Sequence, residues 1–183
     1  MLKAIDIANF FIDLANNDPD DCMTNLRLNK LLYFAQSWCL VKLNRPLFEE
    51  DVQAWKYGPV IPSVYKKLKK YGRERIKNTV GNYSADIFSS DELEILIEVA
   101  NIYCKFSSPA LVDLTHKIGS PWQQIYCKNK SNQIISKESL KNYFSKNLQI
   151  NNYKSLDLNS LEKIGYRDPI DNILVLPSEY NDA

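Results

Sequence analysis

Apolar residues recur at helical spacing over most of this chain and alternate in one short stretch. Leu2, Ile5, Ala8, Ile12 and Ala15 stand three to four residues apart, and Ile7, Phe10, Phe11 and Leu14 widen that face. Residues 2–16 therefore predict a helix buried on more than one side. The cluster Asn16-Asn17-Asp18-Pro19-Asp20-Asp21 stops it. Thr24 is placed to N-cap a second helix, although Arg27 stands where Glu or Gln would complete a capping box. Leu28, Leu31, Leu32, Ala35, Trp38 and Cys39 give that helix one apolar stripe, and Asn44-Arg45-Pro46 ends it. Val52 to Lys56 alternates and predicts a short extended segment. Gly58 can adopt a positive φ, Pro59 fixes the next φ, and Pro62 opens a helix to about Tyr71.

The second half repeats helix starts. After a loop at 78–88, Ser89 and Glu92 stand in capping-box register for a helix through about Cys104. Ser108-Pro109 and Ser120-Pro121 each pair an N-cap serine with a first-turn proline, and Ser136 caps a helix from Lys137 to Leu148. Beyond Gln149 the composition turns to Asn, Ser, Asp and Lys, with a short helix expected at Ser160 to Ile164. The pattern predicts a mainly α chain: one compact helical domain over 1–150, with at most one short β element around residues 52–56. Residues 151–183 form a polar, partly ordered extension.

Composition changes this picture little. With 183 residues, 45% hydrophobic and 25% charged, the chain is sized for one soluble domain. No run of about 18 apolar residues exists to span a membrane. Lys3, Asp6 and Asp13 interrupt any apolar export signal, so a cytoplasmic location is expected. Cys22, Cys39, Cys104 and Cys127 form no C-x-x-C pair, and His116 is the single histidine, so no metal site or cofactor is expected. The cysteines read as small buried hydrophobes in a reducing compartment. The net charge of +1 conceals a segregation: residues 66–77 hold seven basic residues and one acid, leaving 16 basic and 21 acidic residues elsewhere.

Enzyme motifs are sparse. G-x-x-x-x-G-K-[ST], G-x-G-x-x-G and H-E-x-x-H are all absent. Asp113 could orient His116 on one helical face, with Cys39, Cys104 or Cys127 as nucleophile. The simpler reading makes His116 a polar residue hydrogen-bonded near a helix C-terminus, where a cation favours the dipole. The basic run, with Tyr65 and Tyr71 beside it, admits nucleic acid, an acidic protein partner or a merely solvated face. Most of the aromatics among Tyr33, Phe34, Trp38, Phe48, Trp55, Tyr57 and Tyr65 belong to a core. Trp55 and Tyr57, beside the Gly58-Pro59 break, could line a partner-binding groove.

The run Leu28-Asn29-Lys30-Leu31-Leu32-Tyr33-Phe34-Ala35-Gln36 carries a resemblance. It continues through Trp38, Pro46-Leu47-Phe48, Ala54-Trp55-Lys56-Tyr57-Gly58-Pro59-Val60-Ile61-Pro62 and Val64-Tyr65. Leu114-Thr115-His116 with Pro121-Trp122 follows, and then Ile135, Glu138, Leu140, Tyr143 and Phe144. In this order and spacing, over roughly residues 4–147, the chain resembles the Panacea-domain family of SocA-like antitoxins, which includes phage-associated GepA-like proteins. The family usually has Gln where Asn29 stands and often His where Cys39 stands; the second departure removes a titratable group.

The resemblance implies a helical cytoplasmic antitoxin of a bacterial or prophage toxin–antitoxin pair that binds its toxin directly, without catalytic residues. One branch resembles a proteolytic adaptor, delivering the toxin to an ATP-dependent protease. On this reading Trp55, Lys56, Tyr57, Gly58, Pro59 and Pro62 form a shaped partner-binding element. Lys66, Lys69, Lys70 and Arg73 supply charge, while Lys30, Tyr33, Trp38, His116 and Trp122 hold the scaffold. No nucleic acid or membrane partner is implied. A Cys/His hydrolase-like enzyme and a nucleic-acid-binding regulator stay open as readings of other classes.

Overall fold

The computed structural model describes residues 2–17, 22–148, 166–167 and 174–175. Helix α1 (Ala4–Asn16) starts where the Asp6 carboxylate accepts the Lys3 backbone N–H at 2.9 Å, relieving one of the unpaired donors of a first turn. Ile5, Ile7, Ala8, Phe11, Ile12 and Ala15 are buried, so the helix is covered on more than one side as its pattern predicts. Leu14 stays 42% exposed, outside that face.

Helix α2 (Asn25–Lys42) is the axis of the fold. The Thr24 hydroxyl accepts the Arg27 N–H at 3.3 Å, the cap expected from sequence. The single stripe predicted for this helix is too narrow: 15 of its 18 residues are buried, because α1, α3, α4, α5, α7 and strand β2 surround it. A helix covered on every side must either be apolar all round or pair each buried polar group. On this one, the buried side chains of Asn29, Lys30, Gln36 and Ser37 are paired.

Strands β1 (Val52–Trp55), β2 (Gly58–Val60) and β3 (Ile134–Ile135) form an antiparallel sheet in the order β2-β1-β3. The extended piece expected around 52–56 is thus the centre of three short strands. Gln53 faces Val60, Trp55 faces Gly58, and Val52 faces Ile135. The two added strands, of three and two residues, are too short to show an alternation of their own. The turn residues Lys56 and Tyr57 keep negative φ, and Gly58 at φ +97° supplies the left-handed residue that closes a tight hairpin.

Helix α3 (Pro62–Leu68) opens on its proline and tightens into a 3-10 turn over Lys69–Tyr71. Another 3-10 turn, Ala85–Ile87, lies in the expected loop. That loop is moored by Asn9, whose amide donates to the Val80 carbonyl at 3.0 Å and accepts its N–H at 2.8 Å. Helix α4 (Ser90–Tyr103) carries the predicted capping box: Ser89 Oγ accepts the Glu92 N–H, and Glu92 Oε2 accepts the Ser89 N–H. Helix α5 (Ser108–His116) is capped by Ser107 rather than Ser108, since it is Ser107 Oγ that reaches the Ala110 N–H at 3.4 Å. Helices α6 (Pro121–Ile125) and α7 (Lys137–Leu148) start at Ser120 and Ser136 as predicted.

The core fills the space around α2. Phe34 stacks on Tyr103 with centroids 3.9 Å apart, while Tyr33 and Phe34 meet Phe144 of α7 edge-on. Trp38 is buried and meets Tyr103 edge-on, with the Lys42 ammonium over its ring. Of the four cysteines only Cys39 is buried; Cys127 is exposed, and Cys22 and Cys104 lie between. A small side chain does not by itself fix a core position, so that expectation fails for three of them. Among the described residues no single helix is long and apolar enough to cross a membrane. Tyr166–Arg167 and Leu174–Val175 pair as antiparallel strands β4 and β5. The helix expected at Ser160 to Ile164 lies outside the described residues.

Candidate functional site

Three polar side chains of α2 hold the chain between Leu47 and Ile61 in place. Gln36 Oε1 accepts the N–H groups of Leu47 and Phe48 at 2.8 and 3.2 Å, and its amide donates to the Phe48 carbonyl at 2.8 Å. Asn29 Oδ1 accepts the Ile61 N–H at 2.9 Å while its amide donates to Asn25. Between them Lys30 Nζ donates to the Pro59 carbonyl at 3.0 Å. One face of one helix thus dictates where the hairpin and the start of α3 sit.

Lys30 is the strongest electrostatic feature of this seam. It is fully buried, and burial lowers its ammonium from the usual lysine range to about 7. Its aliphatic end and Thr115 Oγ1 occupy the space beside Gly58. A Cβ there would lie 2.7 Å from Thr115 Oγ1 and 2.8 Å from Lys30 Cε. Glycine is therefore required at 58 twice, for its φ and for its size.

The α5–α6 corner closes over the same seam. Thr115 Oγ1 donates to the Val112 carbonyl, and Ser120 Oγ donates to the Thr115 carbonyl, each at 2.7 Å. His116 stacks on Trp122 at 3.6 Å and 5°, Trp122 stacks on Tyr126 at 4.6 Å, and Trp122 Nε1 donates to the Trp55 carbonyl at 2.8 Å. Burial first, and then the positive charge of Lys30, lower the His116 imidazole to about 4. His116 is thus neutral at pH 7, which corrects the expectation of a cation at the helix C-terminus. Desolvation and a like charge outweigh the dipole here.

The Cys/His site that sequence left open is not built on Cys39. Cys39 is nine residues beyond Lys30 on α2, roughly 13 Å along the axis. Burial raises its thiol to about 11, with Arg45 opposing and Glu92 adding, which makes it a poor nucleophile. The Cys104 carbonyl receives Arg27, and both backbone groups of Cys127 bond to Gln133.

The residues singled out from sequence fall into two environments. Tyr57 at 8% exposure, Gly58 and Pro59 are buried in the seam with Lys30 and Trp122, whereas Tyr33 and Trp38 are buried against α7 and α4. Trp55 and Pro62 are half-buried; Lys56, Lys66, Lys69, Lys70 and Arg73 are exposed. Trp55 meets Tyr65 edge-on at 5.0 Å, and its indole N–H goes to Gln53 Oε1 at 3.0 Å. This places the β1 end of the hairpin beside α3, where the basic residues begin. Sequence reasoning named Asn29, Gln36, Thr115 and Ser120 without giving them these roles. The available signal was polar residues interrupting an otherwise apolar helix at positions 29, 30 and 36.

The family model described as "Antitoxin SocA-like, Panacea domain" matches residues 28–123, just over half of the chain, from the first turn of α2 into α6. The chain belongs to this Panacea-domain family. Antitoxin SocA of Caulobacter vibrioides (strain NA1000 / CB15N) is 35% identical over 130 residues, covering 65% of this chain and 68% of that protein. No solved structure matches. The matched span of this Panacea domain contains all three α2 pins, the hairpin they hold and the His116–Trp122 stack.

Proposed function

We propose that this chain is a non-enzymatic, cytoplasmic antitoxin that neutralises a cognate toxin by binding it directly. The observation that carries the reading is the family match itself, which runs across the pinned hairpin and the α5–α6 corner and is accompanied by a relative named as an antitoxin. The chemistry of the site agrees. Of the two groups with the most depressed proton affinities, Lys30 is engaged by the Pro59 carbonyl and His116 lies flat against Trp122. Tyr57, Gly58, Pro59 and the α2 pins then act by fixing the hairpin's shape. Trp55, Lys56, Pro62, Lys66, Lys69, Lys70 and Arg73 make the contact surface.

The test is capture of the tagged protein from its native cells, followed by expression of any stoichiometric partner with and without it. The expected result is a partner that arrests growth alone and is harmless when co-expressed. Protease subunits in the same eluate, with a shortened toxin half-life, would assign delivery to a protease instead of sequestration. An eluate without a partner, repeated under crosslinking, would overturn direct binding.

A further inference from the structure

We propose that the basic ridge on α3 and the 3-10 turn after it docks an acidic polypeptide segment of the toxin, an inference that rests on the antitoxin reading above. Lys66, Lys67, Lys69, Lys70 and Arg73 are all exposed within eight consecutive residues. Val64 and Leu68 on the opposite side are fully buried, so the ridge has one orientation. It is also held rigidly. The Asn25 amide donates to the Tyr65 carbonyl, the Ile76 N–H to the Met23 carbonyl at 2.8 Å, and Arg75 to the Ala15 carbonyl at 2.9 Å. Both ends of the basic segment are therefore anchored to neighbouring elements before any partner arrives, which lowers the ordering cost of binding.

The four lysines of the ridge have no acid paired with them among the described residues. Lysines at i, i+3 and i, i+4 repel one another along a helix. The acids Glu98, Glu92 and Glu49 pair instead with Lys42, Arg45 and Lys137, away from Lys66, Lys67, Lys69 and Lys70. Lys56 on the hairpin turn and the half-buried Trp55–Tyr65 pair lie where the ridge begins, giving an aromatic floor beside the charges. Aromatic and cationic groups together are what protein-recognition hot spots favour.

The extent of the charge decides between polyanions. The cations cover about two helical turns, roughly 12 Å, while the chain outside residues 66–77 carries 16 basic against 21 acidic residues. A nucleic acid tracking along the surface would leave the ridge for a net negative body, whereas its binders carry extended basic stripes. A short acidic segment of a protein fits the patch and needs nothing beyond it. Such complementarity acts mainly on the encounter rate.

The experiment compares full-length protein with the variant Lys66→Glu/Lys69→Glu/Lys70→Glu and with the corresponding Gln triple variant. Binding kinetics to the captured toxin are read at low and high salt, with melting temperature as the folding control. The expected result is an association rate about tenfold or more lower for the Glu variant, intermediate for Gln, a flatter salt dependence and an unchanged melting temperature. Reversing acidic residues of the toxin to Lys should restore the rate with the Glu variant. An association rate and salt slope unchanged in a folded variant overturn the ridge alone and leave direct toxin binding standing. Absence of any partner for the unsubstituted protein overturns both. A 20-base-pair duplex bound more tightly than the toxin, and lost in the Glu variant, overturns the acidic-polypeptide assignment in favour of nucleic acid.

Discussion

Gly58 and Lys30 show how single positions fix this hairpin. Replacing Gly58 with Ala forces a side chain into φ +97° and within 3.0 Å of Thr115 Oγ1 and the Lys30 chain. Left-handed backbone costs an L-residue about 1–2 kcal/mol, and the clash adds to it. Gly58→Ala should therefore destabilise the domain by about 2–4 kcal/mol in urea denaturation; a change under about 0.5 kcal/mol would show that the hairpin tip yields freely. The pH dependence follows from two depressed proton affinities. Lys30 falls to about 7 in the folded state and His116 to about 4, both below their unfolded values, so the unfolded chain binds the extra protons. Stability contributed by Lys30 is complete above about 10.5 and is lost as pH falls towards 7. That of His116 is complete above about 6.5 and is lost as pH falls towards 4. Stability should rise with pH across both windows. Lys30→Met should flatten the upper window, and His116→Phe, which preserves a stacked ring, should flatten the lower one, as read from denaturation curves collected across pH.

At the scale of elements, the α2 pins act as staples between one helix and the chain that follows it. Gln36→Leu removes three hydrogen bonds and leaves the Leu47 and Phe48 N–H groups buried without their acceptor, so a loss of about 2–4 kcal/mol is expected. Hydrogen exchange should accelerate at Leu47 and Phe48 first; exchange unchanged there would mean that the turn holds itself. Much at this scale was readable in sequence. The helix starts at Thr24, Ser89, Ser120 and Ser136 are local hydrogen-bond signals between a side chain and an N–H three residues on, and each is where the pattern puts it. At Ser107-Ser108 two adjacent candidates compete, and the geometry selects the first. The pairing of β1 with β3 was not readable, because joining Val52 to Ile135 links residues far apart in sequence and leaves no local trace. The same holds for α2: its stripe was visible, but its burial on every side depends on neighbours from the whole chain. Lys30 was named as scaffold from the family pattern; its pairing with Pro59 appears only in three dimensions.

For the whole molecule, the arrangement around α2 predicts one cooperative unit. Every other helix except α6 packs directly on α2, and α6 is tied in through α5, α7 and the Trp122 to Trp55 hydrogen bond. With the hairpin pinned by three α2 side chains, no group of elements among residues 2–17 and 22–148 has a core of its own to retain when α2 unwinds. The three tryptophans test this because they report from different places: Trp38 in the α2–α4 seam, Trp55 at the hairpin and Trp122 in the stack with His116. Fluorescence of variants that keep one tryptophan each, with Phe at the other two positions, should follow the same denaturant midpoint as the helical circular dichroism of the same variant. A Trp122 signal changing at lower denaturant than helix loss would mean that the α5–α6 corner opens separately. The surface from Trp55 to Arg73 would then rest on a scaffold that can loosen without unfolding, and partner binding would be expected to tighten it. A shared midpoint instead makes that surface preformed, so that a partner meets the hairpin and ridge already in their final geometry.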